Sequence, residues 1–429
     1  MSFRFKFVLI LISATLALYT VVGGWISTRA QQPANDPKVQ LRIFESVLQH
    51  IQNDYVDEPN MEKVRAGALR GLAYGLDPYS TYLTPDQVRE YNQKKDNTGI
   101  GAELSQVASY LYVIAPYKGS PADQAGLRAG DIIEYIEGKA TRDISLYDAK
   151  QLLNGPAGSE VKLRVLRANS RPLTITVKRG PFESTAVETR MEAGRIGVLR
   201  VNSLSDGDAT EIRNRTQDLL KQGAQKIALD LRGVAGGSLT EAVAVANLFI
   251  AEGTLAQTTG REGKAIKTFT AESKEAIFDG PLVALIDTGT AGAAEVIAAA
   301  ILERNRGQVV GEKSFGAGAE QQLFTLRGGD GLLLTTVKWA SANGKPFLGE
   351  DRAKSGVTPS VEVKRPELAE AFDPEELSGE NDPEGGVRPD QPLEKPEATP
   401  AKPAPEDVQL KKALELLRES KPAQMPRAA

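Results

Sequence analysis

The chain has 429 residues, 41% of them hydrophobic and 25% charged, which is the composition of a soluble globular protein of roughly two or three domains. Its formal net charge of −4 at pH 7 provides no overall basic field, so we expect no nucleic-acid partner. The sequence has no cysteine and a single histidine, which excludes disulfides, a cysteine nucleophile and cysteine- or histidine-rich metal sites. We expect no metal and no cofactor.

The N-terminus has the pattern of an export signal. Arg4 and Lys6 precede an uncharged, mostly apolar run over residues 7–26. A run of about 20 residues is long enough to span a bilayer. Residues 1–30 are therefore predicted to be a signal peptide cleaved near Ala30 or a retained signal-anchor, and we favour the anchor. The protein is expected in the cell envelope, exported to a periplasmic or extracytoplasmic position and held at the membrane through residues 7–26.

Residues 37–95 are predicted to form a helical module. Pro37 opens one apolar pattern of helical period, residues 64–73 form a second, and a turn ending at Ser80 follows. The single histidine, His50, falls within the first pattern. A Ser-His-Asp triad would require this residue, but we interpret it as a helix-surface or helix-packing residue. Any peptide hydrolysis by this chain would then need a base other than histidine.

Residues 96–182 have a different pattern, in which short β-rich runs alternate with glycine-containing turns. This predicts a small, mostly-β domain with one short helix over residues 146–153. The predicted strands are Leu111–Ala115, Ile132–Ile136, Val161–Leu166 and Leu173–Val177.

Residues 190–365 alternate between strand and helix patterns, which predicts an α/β layered domain. The predicted helices lie near residues 206–222, 240–251 and 293–305. The predicted strands are Ile196–Val201, Ile227–Leu231, Leu282–Ile286, Val309–Val310 and Leu332–Val337.

The last part of the chain divides into a linker and a helix. Residues 366–405 are rich in proline and acidic residues, which predicts an extended or disordered linker. Residues 406–420 are predicted to form an amphipathic helix with Leu410, Leu414 and Leu417 on one face. We interpret this segment as a terminal helix that docks on its own protein.

Glycine-containing motifs follow one another in the β-rich domain: GIGA at Gly99–Ala102, GSPA and AGL within residues 119–127, and GDII at Gly130–Ile133. Together they resemble a PDZ domain. The resemblance implies that backbone N–H groups of the first motif hold the terminal carboxylate of a peptide, which adds as a strand beside the helix at 146–153. The implied peptide-binding residues are Gly99, Ile100, Gly101, Ala102, Leu146, Ala149 and Leu153.

Motifs in the α/β region resemble the carboxyl-terminal processing (tail-specific) serine peptidase family. Asp230–Leu239, DLRGVAGGSL, is similar to the family pattern DLR-x-N-P-G-G-x-L, and Gly289–Glu295, GTAGAAE, is similar to GTASASE. The run from Gly311 to Gln321 resembles G-x-x-T-F-G-K-G-x-x-Q. The resemblance covers residues 37–365 and implies an α/β core of the crotonase-like type, with an inserted, mostly-β PDZ domain and an N-terminal helical module.

The family uses a serine nucleophile and a lysine base with a glutamine nearby, and both reactive positions differ in this chain. The resemblance places the serine at Gly292 and the lysine at Ala317, and it retains the glutamine as Gln321. Glycine cannot attack a substrate and alanine cannot accept a proton, so either change removes most nucleophilic catalysis. The asparagine and proline of the DLR segment are Val234 and Ala235. The oxyanion-loop candidates are Gly236, Gly237 and Ala293.

The sequence supports three hypotheses about function. We favour an inactive family member that binds protein C-termini in the cell envelope through its PDZ domain. The alternative is an active serine-type carboxyl-terminal processing endopeptidase in which Lys313 or Ser314 replaces the changed groups. A third hypothesis is a structural adaptor that uses only the linker and the terminal helix. The resemblance also implies a homodimer, and the favoured hypothesis includes an active peptidase as a partner that the chain scaffolds, sequesters or regulates.

Overall fold

The computed structural model describes residues 13, 15, 36–93, 98–168, 170–182, 185–365 and 406–420. Apart from positions 13 and 15, the apolar run at 7–26 lies outside these residues, as does the linker at 366–405. Within the described residues, no helix is both long enough and apolar enough to cross a membrane.

The chain divides into two units, Met1–Ala68 and Leu69–Ala429. The first unit contains helix α1 (Pro37–Asp54), which begins after Asp36, whose side chain accepts a 2.9 Å hydrogen bond from the Lys38 N–H. His50 lies on this helix, and its Nδ1 is 2.6 Å from the Asp54 carboxylate at the surface. The histidine is therefore a helix-surface residue. Helix α2 (Met61–Tyr74) runs from the first unit into the second.

After the end of α2, the second unit continues with strand β1 (Thr81–Leu83) and helix α3 (Pro85–Asn92). Asp77 fixes the turn before β1, because its carboxylate accepts from the N–H groups of Tyr79 and Ser80, both at 2.8 Å. Strand β1 pairs with the distant strand β16 (Gly331–Ala340). The chain therefore belongs to the core both before and after the intervening β domain, which is an insertion.

The inserted domain is built on a six-stranded sheet of order β2-β3-β4-β6-β7, with β5 beside β4. Its short helix α4 (Pro121–Gln124) and the longer α5 (Leu146–Leu153) pack around an apolar cluster that includes Leu104, Ile133 and Leu163. The strands are β2 (Ala102–Val107), β3 (Tyr110–Pro116), β4 (Ile132–Ile136), β5 (Lys139–Ala140), β6 (Glu160–Leu166) and β7 (Leu173–Lys178).

The core contains a second six-stranded sheet, of order β17-β14-β13-β10-β9-β8. All its neighbours pair in parallel except the edge strand β8, which is antiparallel to β9. The strands are β8 (Val187–Glu192), β9 (Ile196–Val201), β10 (Lys226–Asp230), β13 (Leu282–Ile286), β14 (Gln308–Gly311) and β17 (Val361–Glu362).

Both faces of this parallel sheet are covered, as its continuous apolar strands require. Leu229 and Ala284 face helices α6 (Asp208–Lys221), α7 (Leu239–Asn247) and α8 (Ala293–Glu303). The alternate residues Ala228 and Leu285 pack against α9 (Val408–Glu419) on the other face.

The terminal helix α9 is held at both ends by charged groups of the core. At its start, the Arg232 guanidinium donates to both Asp407 carboxylate oxygens at 2.7 Å. At its end, the Lys226 ammonium donates to the carbonyls of Leu417 at 2.5 Å and Ser420 at 2.7 Å. The prediction that this helix docks on its own chain is confirmed.

A third sheet completes the core, with order β1-β16-β11-β12 and with β15 on the other side of β16. Its remaining strands are β11 (Thr254–Thr259), β12 (Ala265–Thr270) and β15 (Ala319–Thr325). The predicted fold class, an α/β core with an inserted mostly-β domain and N-terminal helices, is confirmed by this architecture.

Candidate functional site: a glycine elbow beside a PDZ groove

Gly292 forms a sharp turn between strand β13 and helix α8. Its backbone angles are φ 60° and ψ −115°, a combination that strains residues with a side chain. A strained strand-to-helix turn of this kind presents the nucleophile in α/β hydrolases. Two backbone hydrogen bonds connect the turn to the glycine loop before α7. The Ala291 N–H donates to the Val234 carbonyl at 2.9 Å, and the Ala293 N–H donates to the Gly236 carbonyl at 3.2 Å. The turn therefore has the form of a nucleophile elbow, and the residue at its tip is a glycine.

The glycine loop approaches the elbow closely. Gly236 and Gly237 have φ values of 78° and 90°. A β-carbon on Gly237 would lie 2.8 Å from the Leu204 carbonyl oxygen and 3.0 Å from the Ala293 β-carbon, so only glycine fits there. Sequence reasoning selected Gly236, Gly237 and Ala293 as oxyanion-loop candidates, and the structure brings all three together at the start of α8.

A buried carboxylate, Glu295, joins the elbow to the loop that carries Ala317. Its Oε2 accepts from the Gly292 N–H at 2.9 Å and from the Ala317 N–H at 2.8 Å. Its Oε1 accepts from the Gly316 N–H at 2.8 Å and from the Ser314 hydroxyl at 2.5 Å. Gly292 and Ala317, the two positions that the motif resemblance selected, thus donate to the same oxygen atom.

The environment of Glu295 perturbs its acidity. The side chain is fully buried, and burial raises its pKa to about 7, although the hydrogen bonds from Ser314, Ala317, Gly292 and Gly316 favour the ionised form. Sequence reasoning treated Glu295 only as the last letter of a motif. Its position three residues after the helix N-cap could have identified it, because an acidic residue there reaches back to the N-cap N–H.

Lys313 and Ser314, the two candidates for relocated reactive groups, are both engaged in structural hydrogen bonds. The Ser314 hydroxyl donates to Glu295 and accepts from the Val357 N–H at 2.7 Å, and the residue is only 5% exposed. The Lys313 ammonium donates to the Ala353 carbonyl at 2.6 Å. Partial burial lowers the pKa of Lys313, and the nearby positive charges of Lys345 and Arg352 lower it further.

The methyl side chain of Ala317 has mostly hydrophobic neighbours, although its N–H is bound by Glu295. It packs in a buried cluster with Ala235, Ala291, Phe315 and residues of strand β3. Gln321, the retained glutamine, lies on β15, and its side-chain amide donates to the Thr335 hydroxyl at 3.2 Å. The structure therefore brings Gly292 and Ala317 together around Glu295, while Gln321 is bonded within the neighbouring sheet.

The sequence prediction places a peptide groove of the inserted domain between β2 and α5. In the described part of the chain, strand β2 pairs with β3 alone, which leaves its other edge without a partner strand, and α5 lies beside it. The loop Gly99–Ala102 precedes β2, with Gly101 at φ 71°. Leu146, Ala149 and Leu153 of α5 are buried in the domain core together with Ile100. An edge strand beside a helix is the arrangement to which a peptide adds as a further strand.

Side-chain contacts cross this groove. The Lys150 ammonium of α5 donates to Glu103 of β2 at 3.2 Å. Near the other end of β2, the Gln106 amide donates to the Ile144 carbonyl at 2.7 Å. Sequence reasoning missed Glu103 and Lys150, because a single sequence does not reveal which charged residues face each other across a groove.

Comparison with known proteins agrees with this geometry. Residues 195–363 match Peptidase family S41, and residues 112–167 match the PDZ domain. The carboxy-terminal processing protease CtpA of Bacillus subtilis (strain 168) is 31% identical over 369 residues, which are 85% of this chain and 78% of that protein. A solved photosystem II D1 C-terminal processing protease is 27% identical and has a TM-score of 0.63, covering 75% of this chain and 86% of that one.

The α/β core with its strand-to-helix elbow and inserted PDZ domain defines the class of PDZ-containing serine-peptidase folds. The chain belongs to peptidase family S41 and is homologous to the carboxy-terminal processing proteases of the CtpA group.

Proposed function

We propose that this chain is a catalytically inactive member of family S41 that binds protein C-termini through its PDZ domain in the cell envelope. The observation that carries the proposal is the geometry around Glu295. This carboxylate binds the backbone of Gly292 and Ala317, the positions that correspond to nucleophile and base, and neither residue has a reactive side chain. The peptide groove, in contrast, retains the edge strand and helix needed for peptide addition.

The observed hydrogen bonds argue against relocated catalysis. Ser314 donates to a buried carboxylate and accepts from the Val357 N–H, so its hydroxyl is held within the loop. Lys313 donates to the backbone carbonyls of Arg352 and Ala353. Activation of a serine needs a free base within hydrogen-bond reach of its hydroxyl and a path to substrate.

The experiment pairs a cleavage assay with a binding assay on one preparation. Peptides with a free carboxylate and small apolar last residues are incubated with the full-length protein, and products are followed by mass spectrometry. We expect binding without cleavage. Cleavage that disappears in Lys313→Ala or Ser314→Ala would establish the alternative, an active endopeptidase with rearranged groups.

The proposed location follows from the basic start and the apolar run at residues 7–26, which would anchor the chain with its body outside the cytoplasm. Protease added to intact spheroplasts is expected to digest the body of the protein. Protection in spheroplasts followed by digestion after lysis would refute this orientation.

A further inference from the structure

Three polar side chains of the PDZ domain meet beside the glycine loop of the core. Glu103 on β2 is the centre of the group. Its Oε1 accepts from the Lys150 ammonium at 3.2 Å, and its Oε2 accepts from the Tyr117 hydroxyl at 2.7 Å. A β-carbon built on Gly236 would lie 3.1 Å from that same Oε2, so the carboxylate borders the glycine loop.

The position of Glu103 along β2 places it near the carboxylate-binding end of the groove. It is the second residue of the strand and directly follows the loop Gly99–Ala102. A peptide strand rises about 3.3 Å per residue, so a ligand whose carboxylate sits at that loop passes Glu103 within its last few residues. Lys150 reaches Glu103 from the helix on the opposite side of this path.

Separation of the ion pair by a ligand would affect Glu103 and Lys150 differently, because the two side chains differ in exposure to solvent. The Glu103 side chain is 21% exposed and the Lys150 side chain is 41% exposed. When a ligand separates them, Lys150 can extend into water from the helix surface. Of its hydrogen-bond partners among the described residues, Glu103 would keep the Tyr117 hydroxyl alone, and a partly buried carboxylate without a cation is unfavourable.

Tyr117 keeps the carboxylate in place. Its ring stacks on Phe182 with centroids 5.8 Å apart. Burial and the neighbouring charge of Glu103 raise the pKa of Tyr117, so the phenol remains a neutral donor. The other acidic residue on the nearby helix face, Asp148, is already bound by the Gln87 amide at 2.6 Å and lies 3.9 Å from Arg70. Glu103 is therefore the groove carboxylate whose cation can be exchanged.

We propose that Lys150 occupies the place of a basic ligand side chain, and that the groove selects C-terminal peptides with Lys or Arg within the last few residues before the terminal one. This inference rests on the proposed peptide-binding function. The incoming base replaces Lys150 at Glu103, so the ion pair is exchanged and no buried charge is left unpaired. A neutral ligand side chain must leave Glu103 unpaired or leave Lys150 in the path, and an acidic one is repelled.

The test is a lysine scan in the ligand. Ten-residue peptides with a free carboxylate and an alanine terminus carry a single Lys, or Gln as the neutral control, at each of the four preceding positions. Affinities for the full-length protein are measured by fluorescence anisotropy. At one of these positions, the Lys peptide should bind about fivefold more tightly than the Gln peptide. This is the size of effect expected from a partly exposed ion pair.

Variants of the protein sharpen the test. Lys150→Ala should raise the affinity for the selected Lys peptide, because the internal competitor is removed, whereas a merely structural role would lower it. Glu103→Gln should abolish the difference between Lys and Gln peptides. Lys139→Ala, at an exposed position on β5, is the matched control. It should change neither the affinity for the Lys peptide nor the difference between Lys and Gln peptides.

The outcomes separate the two proposals. If no peptide binds, the proposed function fails and this inference fails with it. If Lys and Gln peptides bind equally at every position, or Lys150→Ala weakens binding of the Lys peptide, the inference is overturned and peptide binding stands. In the double variant Glu103→Lys with Lys150→Glu, a switch of preference from Lys to Glu peptides would support the inference independently of the single variants.

Discussion

The glycine elbow and the PDZ groove are neighbouring regions of this molecule. Each contains a central carboxylate, but different kinds of contact hold the two carboxylates. At the elbow, the backbone N–H groups of Gly292, Gly316 and Ala317 converge on one fully buried carboxylate. Across the groove, the contact at Glu103 is made by the partly exposed ammonium of Lys150, which in our proposal a basic ligand side chain replaces. The contacts at the elbow are thus buried and made by the backbone, whereas the contact across the groove is partly exposed and made by side chains, as an exchange with a ligand would require.

The largest expected effect comes from removing the carboxylate at the elbow. Glu295→Ala leaves three buried N–H groups and the Ser314 hydroxyl without their acceptor, which should lower the free energy of unfolding by roughly 4 kcal/mol. Urea denaturation measures the change. Glu252→Ala, an exposed glutamate, is the matched control and should leave the midpoint unchanged. Equal midpoints for the two variants would show that the elbow is not a structural centre.

The same residue predicts a pH dependence of stability. The pKa of Glu295 is raised from 4.5 to about 7 in the folded protein, so between these values the folded state binds more protons than the unfolded state. The contribution of this group therefore falls by about 3 kcal/mol as pH rises from 4.5 to 7, and is constant above pH 7. Unfolding free energies measured over this range should show the decline in the natural protein.

The control for this pH effect is Glu295→Gln, which does not titrate. Its stability should lack the decline seen in the natural protein. If both proteins follow the same pH profile, other groups control it and the role assigned to Glu295 is wrong.

A smaller effect is expected at the groove. Amidation of a ligand's C-terminus removes the anion that backbone N–H groups at Gly99–Ala102 would hold, and should weaken binding more than about tenfold. Paired titrations with acid and amide forms of one peptide measure this. Equal affinity of the two forms would remove the basis for C-terminal recognition.

The smallest effect on stability is expected for Gly292→Ser. The backbone angles at this position strain any side chain by about 1 kcal/mol, and the new β-carbon would lie 3.3 Å from the Gly236 carbonyl oxygen. The variant should fold but remain inactive, because no base stands at position 317. Peptide hydrolysis by Gly292→Ser alone would contradict this reasoning. Gly292→Ser combined with Ala317→Lys restores both groups and is the variant in which weak activity is expected.

Much of the fold could be predicted from the sequence, because its apolar segments are strongly patterned. The strand at Leu282–Ile286 and the helix at Leu146–Leu153 have the predicted bounds. The strands at Ala265–Thr270 and Ala319–Thr325 were not predicted. The first is almost fully exposed, and the second alternates between half-buried and exposed residues, none of which is fully buried. Neither segment has the apolar face on which the prediction depends.

The candidate site was predictable only in part. Motif resemblance selected Gly292 and Ala317 as candidate positions, and in the structure the N–H groups of both donate to Glu295. The role of Glu295 depends on its burial and on donors from a loop about 20 residues away, which no local pattern reveals. The contact between Glu103 and Lys150 likewise depends on a tertiary arrangement of strand and helix.

The most direct test of the central claim is the cleavage assay on the unmodified full-length protein, performed on a preparation that is shown to bind the substrate's free C-terminus. We predict bound peptide and no product above the buffer control after prolonged incubation. Cleavage by the natural protein that is lost in Ser314→Ala or Lys313→Ala would contradict the claim and show that the chain is an active peptidase.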